Sequence, residues 1–249
     1  MDELSERGHR QAERFGARIL TTEVTDLGRG GELFVAHTAS GIFRARAVIL
    51  ATGVSDRWAE FPGYEAYIGR SMHWCIVCDG FEMQGKRILV VGNDDHAAEM
   101  ATQLMRFAEQ VTLLTNDDHV GIPRPALHRL ERDGIPVVVD RLVGARARDH
   151  GFFAAVLLAG GDEIEIDHLF SAQGAVPNTG LARSLGVALN EEEYIKVDTE
   201  ARTSVPGVYA AGDVTRLFSH QIATAVHEGA TAATALNYAL YRQDEEQAR

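Results

Sequence analysis

The sequence predicts an α/β protein made of two nucleotide-binding-type domains with parallel, doubly wound sheets. Three observations predict it. Short continuous apolar runs, Arg87–Val91 and Val111–Leu114, read as strands covered on both faces. Between them Ala97, Met100, Ala101, Leu104 and Phe107 recur every three or four residues, one face of an amphipathic helix. Buried runs also end in turns carrying glycine, Thr52-Gly53 and Gly212-Asp213, at strand ends where such sheets bind ligands. A chain of 249 residues is comfortable for two domains.

The elements follow in order. Leu4 to Phe15 reads as a short helix. "ARILTTEVTDL" reads as one strand or two. "GELFVAHTASGIFRARAVILATG" reads as strand, turn, strand, then a buried strand over Ala47–Ala51. Ser55 to Ser71, with Pro62, Gly63 and Gly69, reads as a loop and candidate linker. From Lys86, strand, tight turn, helix and strand make one βαβ unit of the usual ~30 residues. A helix over Pro125–Asp133 and a strand over Ile135–Val139 continue the alternation. "FFAAVLLAGGDEIEIDHLFSAQG" reads as a β-meander leading into a buried strand, and Gln221–Tyr241 as a long helix.

The composition excludes several functions. A net charge of −12 argues against nucleic acid and anionic membrane as partners. No apolar run approaches the roughly 20 residues that cross a bilayer. The start, "MDELSERGHRQAERFG", is too polar and acidic for a signal or transit peptide, so a cytoplasmic protein is expected. Two cysteines cannot staple a domain of this size.

Those two cysteines stand in Cys75-Ile76-Val77-Cys78-Asp79-Gly80. The spacing lets two thiols share one turn and close a small disulfide ring that exchanges with other disulfides. An adjacent Asp79 suits transfer of the proton that a leaving thiolate needs. Inert buried thiols are a second reading. Half a zinc site with His73 and another histidine is a third, although no second Cys-x-x-Cys exists. In "TSVPGVYAAGDV" a buried strand ends at Gly212, and Asp213 offers a carboxylate that suits a polyol hydroxyl better than a phosphate. The helix from Gln221 aims its first amides at the same crevice. No histidine spacing suggests a metal site.

Taken together, "VILATG", "CIVCDG" and "SVPGVYAAGDV" resemble the thioredoxin reductase family of pyridine nucleotide-disulfide oxidoreductases, from about Ala17 to Asn237. The resemblance implies a flavoprotein with two dinucleotide-binding folds. An FAD domain split into residues 1–69 and 194–249 would surround an NAD(P)-binding-like domain, 70–193, that carries the cysteines. It implies that Asp213, after Gly212, holds the ribityl chain of FAD, with Thr52 and Gly53 beside the cofactor. Gln221 and Ile222 would lie by the flavin ring, with His220 adjusting its charge. Cys78 would face the flavin as its charge-transfer partner, Cys75 would attack the substrate disulfide, and Asp79 would donate the proton. Partners would be a small protein disulfide such as thioredoxin, or a small dithiol or disulfide, and the protein would be a homodimer.

Two departures qualify these expectations. Residues 1–17 hold no Gly-x-Gly-x-x-Gly and no buried strand, so the first FAD βαβ unit has no room. The chain is therefore expected to be the C-terminal part of a longer protein, the product of a misplaced start, or one half completed by another chain, and to bind FAD poorly by itself. In Gly92-Asn93-Asp94-Asp95-His96-Ala97 the central fingerprint glycine is Asp94, whose carboxylate repels phosphates, and Asp95 adds to the repulsion. "TNDD" after Leu114 lacks the arginines that take a 2′-phosphate, although Asp117 suits a ribose of NAD. NAD(P)H use is thus doubtful, leaving ferredoxin as donor or oxygen as acceptor. The alternative to an enzyme is a non-catalytic, redox-sensing module or a fragment of a fused protein.

Overall fold

A computed structural model describes residues 2–249. The chain forms two compact units, one of residues 1–55 and 177–249 and one of 56–176.

The first unit begins with α1 (Asp2–Arg14), a polar helix carrying the i,i+4 ion pairs Arg7–Glu3 and Arg10–Glu6. An antiparallel sheet follows, β1 (Val24–Gly30), β2 (Leu33–Thr38) and β3 (Gly41–Ala45) in that order. Residues 17–23 are not strand. Ile19 and Leu20 stand exposed, so the expected earlier strand has no face to bury. The buried strand expected over Ala47–Ala51 shortens to β4 (Val48–Leu50), in which Leu50 is buried but Ile49 is exposed, and β5 (Val54–Asp56) leads out of the unit.

The second unit opens with a segment expected to be linker. Instead Ala59, Phe61 and Tyr67 are buried in its core, with Tyr67 stacked on Phe153 at 4.2 Å. Then come β6 (Met72–His73), α2 (Ile76–Asp79), β7 (Arg87–Val91), α3 (Asp95–Leu104), β8 (Gln110–Leu114), α4 (Arg124–Arg132) and the short β9 (Val137–Val138). A meander, β10 (Leu142–Asp149), β11 (Phe152–Leu158) and β12 (Glu163–Glu165), precedes β13 (His168–Ser171). Five strands make one parallel sheet in the order β6-β13-β7-β8-β9. Alternation along each strand splits the core. Ile88, Val90, Val111, Leu113 and Phe170 face α3 and α4, whereas Leu89, Val91, Leu114 and Leu169 face the meander. Burial on both faces explains the continuous apolar runs.

The chain leaves through β14 (Ala175–Pro177) and completes the first unit with α5 (Gly180–Ser184), β15 (Val208–Ala210) and α6 (Ile222–Gln247). β15 pairs in parallel with β4, matching Tyr209 to Ile49. Leu27, Phe34, Leu50, Ala182, Val187, Ile195 and Val208 form the core there. The two compact units thus divide after Ser55 and Val176. The physical reason is burial: Phe61 and Tyr67 belong to the second core, and Ala182 and Val187 to the first.

Candidate active site

β6 delivers the cysteines. Cys75 is extended (φ −109°, ψ 105°) and caps α2, with its Sγ accepting from Cys78 N at 3.1 Å. The Asp79 amide donates to the Cys75 carbonyl at 3.1 Å. Such a tight single turn brings the Cα atoms to 5.3 Å, and the two sulfurs are bonded. Cys75 is buried and Cys78 is exposed. Val77 and Phe81 stand exposed on the same turns.

Behind the disulfide lies a group that spacing did not reveal. Asp79 Oδ1 is 3.4 Å from His73 Nδ1, and His73 Nε2 is 3.0 Å from His168 Nδ1. The register that sets Phe170 opposite His73 brings His168 into reach across 95 residues. Burial lowers the proton affinity of His73, while Asp79 and Glu82 pull the other way. His168 is pushed down to about 4 by burial, and the neighbouring His73 and Lys86 add to this. The sequence signal was a histidine at the head of a buried strand, which carries no meaning until the strand order is known.

The turn after β7 shows why only some of the fingerprint matters to packing. A Cβ on Gly92 would come within 2.7 Å of Ala97 Cβ and 3.1 Å of Ala172 Cβ, so the glycine lets α3 sit close on the sheet. Asp94 caps α3, its carboxylate accepting from Ala97 N at 2.9 Å. The helix end that would cradle a phosphate thus holds the chain's own anion. Asn93 ties down the facing loop, accepting from Gly121 N at 2.6 Å and donating to the His119 carbonyl at 3.1 Å. Asp95 does not stand as an isolated charge, because Arg129 from α4 pairs with it at 2.8 Å. The "TNDD" stretch also gains a cation that the sequence did not show, since Arg141 reaches Asp118 at 3.4 Å. Hydrogen bonding to His119 and Asp117 holds the Asp118 carboxyl below its ordinary range, and the same bond raises His119. Donor atoms of Asp117, Asp118 and His119 lie within 4.8 Å of one another, an exposed grouping of adjacent residues that a search for spaced histidines passes over.

The first unit holds the remaining candidates. Thr52 and Gly53 follow β4 and are fixed by Asn178, a residue the sequence did not single out. Thr52 Oγ1 donates to the Asn178 carbonyl at 2.7 Å, and Asn178 Nδ2 returns a bond to the Thr52 carbonyl at 3.0 Å. Gly212 (φ 78°) turns the chain out of β15, and its amide donates to Glu228 Oε2 of α6 at 2.8 Å. Glu228 also pairs with Arg216. The half-buried Asp213 begins the following turn. His220 sits near the Arg216 carbonyl, at 2.8 Å, with its ring 6.2 Å from that of Tyr194. Gln221 precedes α6, and Ile222, its first residue, is exposed. A half-buried carboxylate at a parallel strand end fits the polyol chain of a flavin nucleotide. The capped turn at Asp94 does not fit a pyrophosphate.

The arrangement defines a class, a two-unit α/β protein with a disulfide pair mounted on the inserted unit. The chain matches the family "Pyridine nucleotide-disulphide oxidoreductase" over residues 4–231 and belongs to it. Within that family it is a thioredoxin reductase-like oxidoreductase. It is 34% identical to a thioredoxin reductase of Treponema pallidum over 239 residues, spanning 94% of this chain and 77% of that one. A thioredoxin reductase of Streptomyces coelicolor is 35% identical over 238 residues, spanning 93% and 74%. The crystal structure of thioredoxin reductase from Streptococcus pyogenes superposes with a TM-score of 0.89 at 29% identity, covering 97% of this chain and 80% of that chain.

Proposed function

We propose that the protein is a flavin-dependent dithiol–disulfide oxidoreductase that moves electrons between FAD and the Cys75–Cys78 pair, and from there to a disulfide in a small protein such as thioredoxin or in a small molecule. The observation that carries this reading is the disulfide at α2, one cysteine buried and one exposed, with Asp79 on the same turn. FAD, when bound, supplies two-electron chemistry. Asp213, Thr52, Gly53, Gln221 and Ile222 would hold it, and His220 would modulate its charge. The chain's own residues do the rest. Cys78 would be the sulfur presented to the cofactor. Opening of the ring frees Cys75 to attack a substrate disulfide, and Asp79 gives a proton to the thiolate left behind. The apolar Val77 and Phe81 offer the partner a surface beside the sulfurs. Nicotinamide binding is weak or lost, because Asp94 occupies the α3 amides with its own charge. A ferredoxin-type donor would then supply the two electrons for disulfide reduction, or the enzyme would run in reverse as a dithiol oxidase, with the electrons of a dithiol passing through the cysteine pair to oxygen. The same reading makes the protein cytoplasmic and homodimeric.

The roles of the two sulfurs are tested by trapping. Reduced Cys78→Ser mixed with an oxidised thioredoxin should accumulate a mixed disulfide through Cys75, and Cys75→Ser should not. Trapping by Cys75→Ser alone would reverse the assignment, and trapping by neither would remove thioredoxin as substrate. A second reading, a redox-reporting module without turnover, draws on the blocked turn at Asp94. Under it the disulfide would open and close without catalysing any net disulfide reduction.

A further inference from the structure

Asp79, His73 and His168 form a chain of titratable groups running back from the disulfide turn into the sheet. We propose that His73 and His168 are positioning residues that relay a proton to Asp79 whenever the Cys75–Cys78 bond is reduced, a refinement that rests on the oxidoreductase reading.

The geometry sets the direction. His73 presents Nδ1 to Asp79 and Nε2 to His168, so its two ring nitrogens face two different partners. With both rings neutral, His73 keeps its proton on Nδ1, facing the carboxylate, and its bare Nε2 accepts from His168 Nδ1–H. The relay then moves one proton through four positions. A proton from solvent adds to His168 Nε2, His168 Nδ1–H passes to His73 Nε2, and His73 Nδ1–H passes to Asp79. Asp79 gives it to the thiolate. The reaction balances with a dithiol as reductant. The dithiol loses two electrons and two protons and closes its own S–S bond. The Cys75–Cys78 bond breaks, takes the two electrons, and ends as two thiols, one of them protonated through the relay.

The surroundings favour relay over permanent charge. His73 is 8% exposed and packed against the Phe170 ring at 5.2 Å. Besides Asp79, Glu82 faces it. His168 faces Lys86, Arg148 and Asp167, and the carboxylate of Asp167 is already engaged by Arg87 and Arg148. Both rings are held below their ordinary proton affinity by burial, so near neutral pH they are uncharged and able to accept and pass a proton. His168 and Asp79 are both half-buried and His73 between them is buried, so His168 is the solvent-accessible end of the chain away from the sulfurs.

The test is the rate at which dithiothreitol reduces the Cys75–Cys78 disulfide between about pH 6 and 8, divided by the reductant's thiolate fraction. In the parent protein this corrected rate should stay flat, because the proton is supplied internally. In His168→Asn it should fall with rising pH and be at least about tenfold lower at the alkaline end, the low side of what a general acid contributes. Added imidazole should restore part of it. His168→Gln serves as the second variant, and a solvent-isotope inventory on the parent should curve, reporting more than one proton in flight. Flat, parent-like profiles in folded variants, or a linear inventory in the parent, would overturn the relay while leaving the oxidoreductase reading in place. A parent disulfide that dithiothreitol cannot reduce would instead overturn that reading itself.

Discussion

Replacing Asp94 by glycine separates the two jobs of the turn after β7. As a cap, Asp94 satisfies the Ala97 amide, and glycine at an N-cap costs only a few tenths of a kcal/mol, against about 1 kcal/mol for alanine. As a charge, its carboxylate lies where a pyrophosphate would seek the same amides. Two like charges ~4 Å apart in a solvated site repel by about 1 kcal/mol, so Asp94→Gly should tighten NADH binding about fivefold. Adding Asp95→Gly should bring the total to about 2 kcal/mol, about thirtyfold. The pairing of Asp95 with Arg129 changes how that second step arises. Less comes from relieved repulsion, and more from leaving Arg129 as a cation beside the first turn of α3. NADPH should gain less, because Asp117 and Asp118 stand near the end of β8 and Arg141 is already paired there. The assay is a fluorescence titration of both nucleotides into parent, single and double variants, with thermal melts to confirm the small cap effect. Tight NADPH binding by the parent, or no gain in the double variant, would refute the claim that this turn excludes the dinucleotide.

Acid should destabilise the fold through His168. Its folded pKa of about 4 lies below its ordinary value of 6.5, so its contribution is present above pH 6.5 and is lost as pH falls through about 4. At about 1.4 kcal/mol per tenfold change in proton affinity a dry site would lose about 3 kcal/mol, and partial exposure reduces this to about 1–2 kcal/mol. Urea unfolding at neutral and acid pH should show that loss in the parent and a smaller one in His168→Asn; equal losses would contradict it. Gly92→Ala should destabilise the second unit by about 1–3 kcal/mol, since the new methyl meets Ala97 and Ala172, and an unchanged melting temperature would show that α3 can shift freely.

Much of this was legible in the sequence for a simple reason. Strands buried on both faces, such as Arg87–Val91, must be continuously apolar, and α3 buries one stripe, so their patterns carry their structure. The cysteine turn was legible because its residues are neighbours in the chain. The linker reading of 55–71 failed because Phe61 and Tyr67 bury through non-periodic contacts with Phe153. The partners Arg129 and Arg141 were invisible because each arrives from another element. His168 and Asn178 were missed for the same reason. Their meaning lies in who faces them, and only strand order settles that.

The central claim, that the Cys75–Cys78 pair and a flavin share electrons on this chain, is tested most directly by supplying FAD at a concentration shown by titration to saturate the chain, with excess dithiothreitol and without oxygen, and following the yellow absorbance alongside the count of free thiols. The account predicts that two thiols per chain appear and that the flavin bleaches with them, much faster than in the Cys75→Ser, Cys78→Ser double variant. Bleaching at the same rate in that variant, or two thiols with no acceleration at all, would contradict it.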